Sequence, residues 1–346
     1  MTNTSKALVF IGSLYLIGLM IASFAYSFFI QSELAEPEKL LFDDEGNILA
    51  LAPFPPSIQY PLGSDIDGNS YLVKVMEGAK YTIGLSVIIA VGRMLLSVVG
   101  GYLLFLLPAS MKRLFRGLSD TLHYAPATIF TYVLITPVVL TFSWSYDVTT
   151  KIVFPCLVII AVGVPVLSLY VQKEIDLALE NEFIDSARTM GASRFHIFRK
   201  HIAPYLTPKI FITFVQQIGQ SLIIFAHLGL LNVFIGGSET RVMEYDVMTG
   251  EARTEIFSMS NEWAGMISDN FQYMRPFPWM VLAPVAAFAL TILAVNVIVY
   301  GLEAKRKPKR AKGLKQTSEP ADVFLDKEKF RMVKSFDHQK GRESRI

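Results

Sequence analysis

The sequence has little cysteine and little charge. Only 18% of its 346 residues are charged, whereas soluble domains average about a quarter. The single cysteine, Cys156, lies in an apolar run, which excludes an internal disulfide framework. Hydrophobic residues make up 52% of the chain, and the mean hydropathy is +0.41. This composition favours a membrane protein before any motif is considered.

The sequence also lacks the motifs of an enzyme. It contains no G-x-x-x-x-G-K-[ST] loop, which would cradle the phosphates of ATP. No His, Cys and Glu residues have the spacing of metal ligands, and no nucleophile stands in a pattern with a base. We therefore predict that this chain is not an enzyme and has no metal site or cofactor of its own. We also predict no nucleic-acid partner.

Long apolar segments predict an all-α membrane protein with six transmembrane helices, because a span needs about 20 mostly apolar residues. The predicted spans are 7–30, 81–107, 121–142, 152–171, 207–231 and 277–301. The third and fourth spans each contain two prolines. Prolines are tolerated in spans whose neighbours satisfy the freed backbone groups, which indicates a helical bundle.

The distribution of Lys and Arg predicts the orientation of the spans. Basic residues follow the second, fourth and last spans. The alternate loops are acidic, with nine acids against three Lys in 31–80 and seven acids against three Arg in 232–276. The positive-inside rule then places both termini in the cytoplasm and the acidic loops outside.

Four regions follow from this pattern. Residues 1–30 form a retained first transmembrane helix, and residues 31–80 form an outer loop with a short helix. Residues 81–302 form the transmembrane core. Residues 303–346 form a basic cytoplasmic tail with many charges and little apolar periodicity, for which we predict disorder.

A charged stretch, residues 173–204, interrupts the core on its cytoplasmic side. Apolar residues recur at helical spacing up to Met190, and Gly191 then supplies the positive φ that ends helices. Ser193 caps a second helix, and Pro204 closes the unit. The pattern predicts two short amphipathic helices joined at a glycine. They serve either to meet a partner or only as a connector at the membrane surface.

Polar side chains within the spans mark candidates for a solute path. The fifth span carries a polar stripe: Thr213, Gln216, Gln217, Gln220, Ser221 and His227. Such residues either line a cavity or join helices by hydrogen bonds. Arg93 lies near the middle of the second span and must face the interior or reach the interface. Our candidates for the translocation path are Arg93, Gln217, Gln220 and His227.

The cytoplasmic stretch resembles the coupling motif of bacterial ABC-importer permeases, which is E-A-A, three residues, G, nine residues, I-x-L-P. This chain has Asp185-Ser186-Ala187, then Gly191, then Pro204 at the same spacing. The I-x-L part is replaced by His201-Ile202-Ala203. The resemblance implies ATPase-coupling roles for six residues: Asp185, Ser186, Ala187, Gly191, Ala192 and Pro204. Asp185 would pair with a cation of the ATPase or cap its own helix.

Three further segments are similar to the C-type permease subunits of dipeptide, oligopeptide and nickel importers. Residues 55–86 resemble the family segment PS-x-x-HPLGTD-x-x-GRD, with Gly68-Asn69-Ser70 in place of GRD. Gly100-Gly101-Tyr102 matches the family's GY position. Residues 262–303 resemble the family's final SWG…PW…N-x-x-G segment. The outer loop 232–276 is longer than the corresponding family passage.

The resemblance implies a subunit of an ATP-driven importer in the bacterial cytoplasmic (inner) membrane, with short peptides as the solute. Implied partners are a second, B-type permease, two cytoplasmic ATPases that bind ATP and Mg, an external solute-binding protein and the lipid bilayer. A metal chelate, such as a nickel or metallophore complex, is the alternative solute. Two other classes remain open from the residues alone, a secondary transporter and a membrane scaffold that transports nothing.

Overall fold

The computed structural model describes residues 3–30, 39–42, 48–124, 126–141, 145–235, 238–245 and 252–304. Helices dominate these residues. They are α1 (Asn3–Ala25), α2 (Tyr71–Leu106), α3 (Ala109–Tyr124), α4 (Ala127–Thr136), α5 (Val148–Leu179), α6 (Glu182–Thr189), α7 (Arg194–Ile197), α8 (Ala203–Leu230), α9 (Trp263–Asn270) and α10 (Trp279–Ala304). The prediction of an all-α membrane protein is confirmed.

Among the described residues, five helical stretches are long and apolar enough to cross a membrane: Thr4–Phe29, Tyr71–Leu106, Val148–Leu179, Phe195–Leu230 and Trp279–Ala304. The third of the six predicted spans is shorter. Its apolar helix begins at Ala127 rather than at residue 121, because Pro126 stands at the N-terminal cap. Pro137 then opens a π-helical turn, Pro137–Thr141, since proline lacks the N–H that would continue the helix.

The spanning helices pack around α2. α2 lies along α5 and α8, and α1 lies along α10. Close approach depends on small residues, as is usual between membrane helices. A side chain at Gly101 of α2 would meet the Cβ of Val171 at 2.6 Å, and one at Gly12 of α1 would meet Ile298 at 2.6 Å. These helices therefore share one continuous apolar core.

Two antiparallel hairpins occupy the regions predicted as outer loops. β1 (Leu40–Phe42) pairs with β2 (Ile48–Leu51), and β3 (Ser238–Tyr245) pairs with β4 (Ala252–Ser258). The short helix that we predicted within 31–80 is absent from the described residues of that region. Helical structure begins there only at Tyr71, the first residue of α2.

The cytoplasmic stretch differs from the prediction in where its helices begin and end. Residues up to Leu179 prolong the spanning helix α5, so the short helix α6 covers only Glu182–Thr189. The second predicted helix is not separate. α7, a π-helical turn (Phe198–Ile202) and α8 form one continuous helical run that enters the membrane.

Pro204 does not close the cytoplasmic unit. It lies in the first turn of α8, directly after the π-helical turn. Proline is tolerated there because a π-helical turn does not need the regular hydrogen bond that its missing N–H would make. The predicted tail lies outside the described residues from residue 305 onward.

Candidate functional site

The glycine turn between α6 and α7 has the hydrogen bonds of a Schellman motif. The N–H of Ala192 donates to the carbonyl of Ala187 at 3.1 Å, and the N–H of Gly191 donates to the carbonyl of Arg188 at 2.9 Å. Gly191 has φ +83°. Glycine adopts this left-handed conformation without steric cost. The motif spacing of Ala187 and Gly191 is therefore the spacing that this helix end requires.

Apolar residues of α6 and α7 hold the turn against the ends of the spanning helices. Ile184 and Ala187 of α6 are buried in a cytoplasmic cluster together with Ile197 and Ile202. The cluster also includes Ile175 near the end of α5. Ala192 packs against the same cluster, which supplies the hydrophobic contact that commonly accompanies a Schellman motif. One face of the cytoplasmic unit is thus anchored on the bundle.

The same unit also exposes three large apolar side chains. Phe183, Met190 and Phe195 have exposed fractions of 46%, 82% and 68%. Asp185 forms an ion pair with Arg188 at 3.3 Å, and both side chains are more than half exposed. Ser186 donates from its hydroxyl to the carbonyl of Glu182 at 3.2 Å. We call the exposed surface made by Phe183, Met190 and Phe195 the apolar tip.

An ion pair ties the start of α8 to the end of α5. The ammonium group of Lys209 contacts the carboxylate of Glu174 and donates to the hydroxyl of Tyr205 at 3.0 Å. Both charged side chains are mostly buried. This contact joins α5, which precedes α6, to α8, which follows α7. It therefore connects the two spanning helices between which the cytoplasmic unit lies in the chain.

Arg93 faces the interior, one of the two positions predicted for it, and is enclosed by three helices; its role in the solute path stays a prediction. Its side chain is 2% exposed. Nε and Nη2 donate to the carbonyl of Ile159 in α5 at 3.1 and 2.8 Å, and Nη1 donates to Oε1 of Gln217 in α8 at 3.0 Å. A side chain at Gly163 would meet Arg93 Nε at 2.6 Å, so this glycine makes room for the guanidinium.

The polar stripe of α8 divides into a buried half and an exposed half. Thr213, Gln217 and Ser221 are buried among the helices. Gln220 and His227 are exposed. His227 Nδ1 lies 3.5 Å from the hydroxyl of Thr128 at the start of α4. The structure therefore brings Arg93 and Gln217 together inside the bundle and keeps Gln220 and His227 on its surface.

Two carboxylates hold the base of the β3–β4 hairpin at the other end of the bundle. Glu262 accepts from the N–H groups of Ala264 and Gly265 at the start of α9, at 3.2 and 3.1 Å, and from the N–H of Ile235 at 3.3 Å. Asp269 accepts from the N–H of Ser258 at 3.1 Å. Burial raises the pKa of Glu262 from its ordinary value to about 7.

A polar cavity of about 320 Å³ lies beside this base. Its lining includes Asp65, Lys74, Asn261, Asp269 and Asn270. The ammonium group of Lys74 pairs with the carboxylate of Asp65. Within the described part of the chain, no group of three or more His, Cys, Asp or Glu residues has the arrangement of a metal site.

The family profile described as "Binding-protein-dependent transport system inner membrane component" matches residues 94–308, which is more than half of the chain. The chain belongs to this family. Together with its five apolar helices, this makes it a multi-pass protein of the inner membrane and a member of the permease class of ABC importers.

Individual relatives of this permease match over shorter stretches. The glutathione transport system permease protein GsiD of Shigella dysenteriae serotype 1 is 30% identical over 155 residues, which cover 44% of either chain. GsiD of Escherichia coli O1:K1 / APEC matches with the same identity and coverage. The chain thus spans less than half the length of these curated relatives. A structure of the MetNI methionine ABC transporter in an inward-facing conformation covers 67% of this chain and 97% of its own, with 16% identity and a TM-score of 0.40.

The roles of the two carboxylates at the hairpin base of this permease were not predicted from the sequence. Glu262 was only the first residue of a family-like segment, and Asp269 had no assigned role. A usable signal was nevertheless present, because Glu262 stands directly before an apolar helical segment, where acidic side chains cap helix N-termini. The distant hydrogen bond to Ile235 had no local sequence signal.

Proposed function

We propose that this permease is a subunit of an ATP-driven importer for short peptides. It forms half of the translocation path and passes the closure of the ATPase pair to the spanning helices through residues 173–204. The observation that carries the proposal is the apolar tip, whose three side chains are exposed on a unit that is otherwise anchored in the cytoplasmic cluster.

The apolar tip has the properties of a docking surface. Phe183, Met190 and Phe195 lie within a short stretch of chain around the Schellman turn, and clustered exposed apolar residues are typical of interaction sites. Positive charges on the neighbouring turn, Arg199 and Lys200, are exposed as well. The tip would fit an apolar groove with an acidic rim on a cytoplasmic ATPase. That subunit would bind ATP and Mg, since this chain lacks the phosphate-binding loop.

Transmission requires that the tip move as a unit with the spans. The Glu174–Lys209 pair and the buried residues Ile184 and Ile202 connect the tip to both α5 and α8. Closure of the ATPase pair would therefore displace the ends of two spanning helices together. Such a displacement is a rigid-body switch between inward and outward access.

The path itself would lie along the exposed half of the α8 stripe. Gln220 and His227 present polar groups there. The neighbouring helix α4, which packs against α8, exposes the apolar residues Val133 and Leu134. A second, B-type permease would enclose this surface, and an external binding protein would deliver the solute. The glutathione-related names of the GsiD relatives support a short peptide as the solute class.

The first test is purification of the tagged chain from its native membrane in mild detergent, followed by mass spectrometry of the proteins that accompany it. We expect a second permease and one or two ATPases. Recovery of this chain alone, after cross-linking as well, would contradict the proposal. The external protein encoded or purified with the complex is then screened against short peptides and metal chelates. Binding of a chelate only would replace the peptide assignment.

Cysteine cross-linking tests the docking surface itself. In a Cys156→Ala background, Met190→Cys should cross-link to an ATPase subunit. Met259→Cys is the matched control, because it is a similarly exposed methionine on the predicted outer side. Cross-linking of the ATPase at both positions, or at neither, would remove the apolar tip from the mechanism.

A further inference from the structure

Helix α3 lies next to the end of a spanning helix and is strongly amphipathic. It begins at Ala109, three residues after α2 ends at Leu106. The cations of α3 are Lys112, Arg113 and Arg116, and its single acid is Asp120. The positive-inside rule places these cations on the cytoplasmic side of the inner membrane. α3 therefore starts at the cytoplasmic edge of the hydrocarbon layer.

The contacts of α3 define which of its faces is against the protein. Phe115 is partly buried and Ser119 is 2% exposed. Lys112 lies on the same row, with Nζ 5.3 Å from the centroid of the Phe105 ring at the end of α2. Because residues three, four and seven apart share a face of a helix, this row is the one that packs on α5 and contacts the end of α2.

The two remaining sides of α3 are chemically opposite. Met111 and Leu114 are exposed by 51% and 69%. Arg113 and Arg116 are exposed on the other side, where Asp120 follows at the next turn. At about 100° per residue, the apolar pair and the cationic row point in nearly opposite directions, with the protein contact between them. This is the arrangement of a helix with lipid on one side and water on the other.

The cations of α3 are available to an external anion. Within the described residues, neither Arg113 nor Arg116 forms an ion pair; the pairs present join other residues. Exposed guanidinium groups on one side of a helix whose opposite side is apolar match a membrane surface, which offers headgroup phosphates above its acyl chains. A soluble protein partner would have to supply both an apolar and an anionic surface at the membrane edge.

We propose that α3 is an interfacial helix that binds anionic phospholipids of the cytoplasmic leaflet. Met111 and Leu114 enter the boundary of the acyl chains, and Arg113 and Arg116 bind headgroup phosphates. The assignment does not depend on the transported solute or on the apolar tip. It gives the permease a lipid-dependent anchor between its second and third apolar helices.

Spin labels on α3 test the position of the helix. The full chain, purified with the proteins that accompany it, is labelled in a Cys156→Ala background at Leu114→Cys or at Asp120→Cys and placed in bilayers of phosphatidylcholine and phosphatidylglycerol. We expect oxygen to relax the label at 114 more than a water-soluble nickel chelate does, and the reverse at 120. A label at 114 that is accessible to the chelate, or shielded from both reagents by a protein partner, overturns the proposal.

Lipid selectivity tests the role of the cations. Spin-labelled phosphatidylglycerol should associate with the native protein about threefold more strongly than the phosphatidylcholine analogue. The double variant Arg113→Gln/Arg116→Gln should lose most of this preference. Arg275→Gln, an exposed arginine predicted on the outer side, is the matched control and should retain it. An unchanged preference in the double variant, with a native melting profile, contradicts headgroup binding by α3.

Discussion

The two ends of this bundle are held together in different ways. At the predicted outer end, Glu262 and Asp269 bind backbone N–H groups far along the chain, and Asn261 donates to the carboxylate of Glu77 at 2.8 Å. Trp263 is fully buried and donates from its indole N–H to the carbonyl of Val75 at 2.8 Å. At the cytoplasmic end, the hydrogen bonds of α6 and its turn join residues only three to five positions apart.

This difference shows which end is fixed by contacts between distant segments and which end depends on local ones. Polar bonds between distant segments fix the outer elements to one another. The cytoplasmic unit depends on apolar packing and leaves the apolar tip exposed. That exposed surface is the one on which our docking proposal depends.

The largest expected effect comes from breaking the cytoplasmic turn. Gly191→Val should lower solute uptake at least about tenfold, because a β-branched residue strongly resists positive φ and would displace the apolar tip. The space around Gly191 is open, with no atom within 4 Å of an added Cβ. Steric contact therefore does not contribute, and the backbone conformation alone is tested. Uptake by reconstituted complexes is the measurement.

Gly191→Asn is the matched control, since asparagine tolerates the left-handed conformation better than other side chains. It should retain most of the uptake. Basal ATP hydrolysis and membrane insertion should persist in the valine variant, which separates lost coupling from misfolding. Equal uptake by the valine and asparagine variants would show that the turn has no part in coupling.

A smaller effect is expected where three spanning helices meet. Arg93→Leu should lower the melting temperature by several degrees, because it leaves Oε1 of the buried Gln217 without its donor, at a cost of about 1–3 kcal/mol. Gln220→Leu, on the exposed half of the same stripe, should change the melting temperature little. If Arg93→Leu melts normally but abolishes uptake, Arg93 acts on the solute path and does not serve to join the helices.

The outer end should respond to pH through Glu262. Its pKa in the folded protein, about 7, lies above the ordinary carboxyl value of 4.5, so the folded state holds the proton more tightly than the unfolded state. Stability should therefore be highest below about pH 4.5 and decline as the pH rises to about 7, by an amount on the order of 3 kcal/mol. Melting curves of the native protein and Glu262→Gln, which cannot ionise, measure this. A native pH profile no steeper than that of the variant would refute the assignment.

The smallest effect is expected for the exposed pair on α6. Asp185→Asn should change the stability of the isolated permease by less than about 0.5 kcal/mol, because both members of the Asp185–Arg188 pair are solvated. Its affinity for the ATPase should nevertheless fall if the carboxylate binds a cation of that subunit. Titration of the purified ATPase onto both forms distinguishes the two roles. Equal affinities would leave Asp185 with local structure only.

Apolar segments and single glycine residues made much of this fold predictable. Five of the six spans and the positive φ at Gly191 follow from hydropathy and from the placement of glycine. The differences have physical causes. Ser193 caps the helix after it, since its hydroxyl accepts from the N–H of His196 at 3.3 Å, but that helix continues into the membrane because a π-helical turn absorbs Pro204. The choice between interior and interface for Arg93 was not predictable, because it depends on Gly163 of another helix, which leaves space for the guanidinium.

The candidate site was also predictable only in part, and for the same reasons. The spacing of Ala187 and Gly191 predicted the glycine turn, because the turn is local and its geometry fixes the interval between the two residues. The polar stripe of α8 was visible, but its division into buried and exposed halves depends on which helices surround it. The hydrogen bonds at the hairpin base could not be predicted, because they join residues whose positions no sequence periodicity relates.

One continuous helix has a mechanical consequence. The stretch Phe195–Leu230 begins at the apolar tip and has 36 residues, so its axis measures about 54 Å. Its far end adjoins Asn232, whose side chain accepts from the hydroxyl of Ser268 in α9 at 2.6 Å. A push at the cytoplasmic end would therefore act on one helical run that reaches the opposite side of the membrane. The base of the outer hairpin adjoins the far end of that run, whose π-helical turn and Pro208 are the two positions at which it could bend.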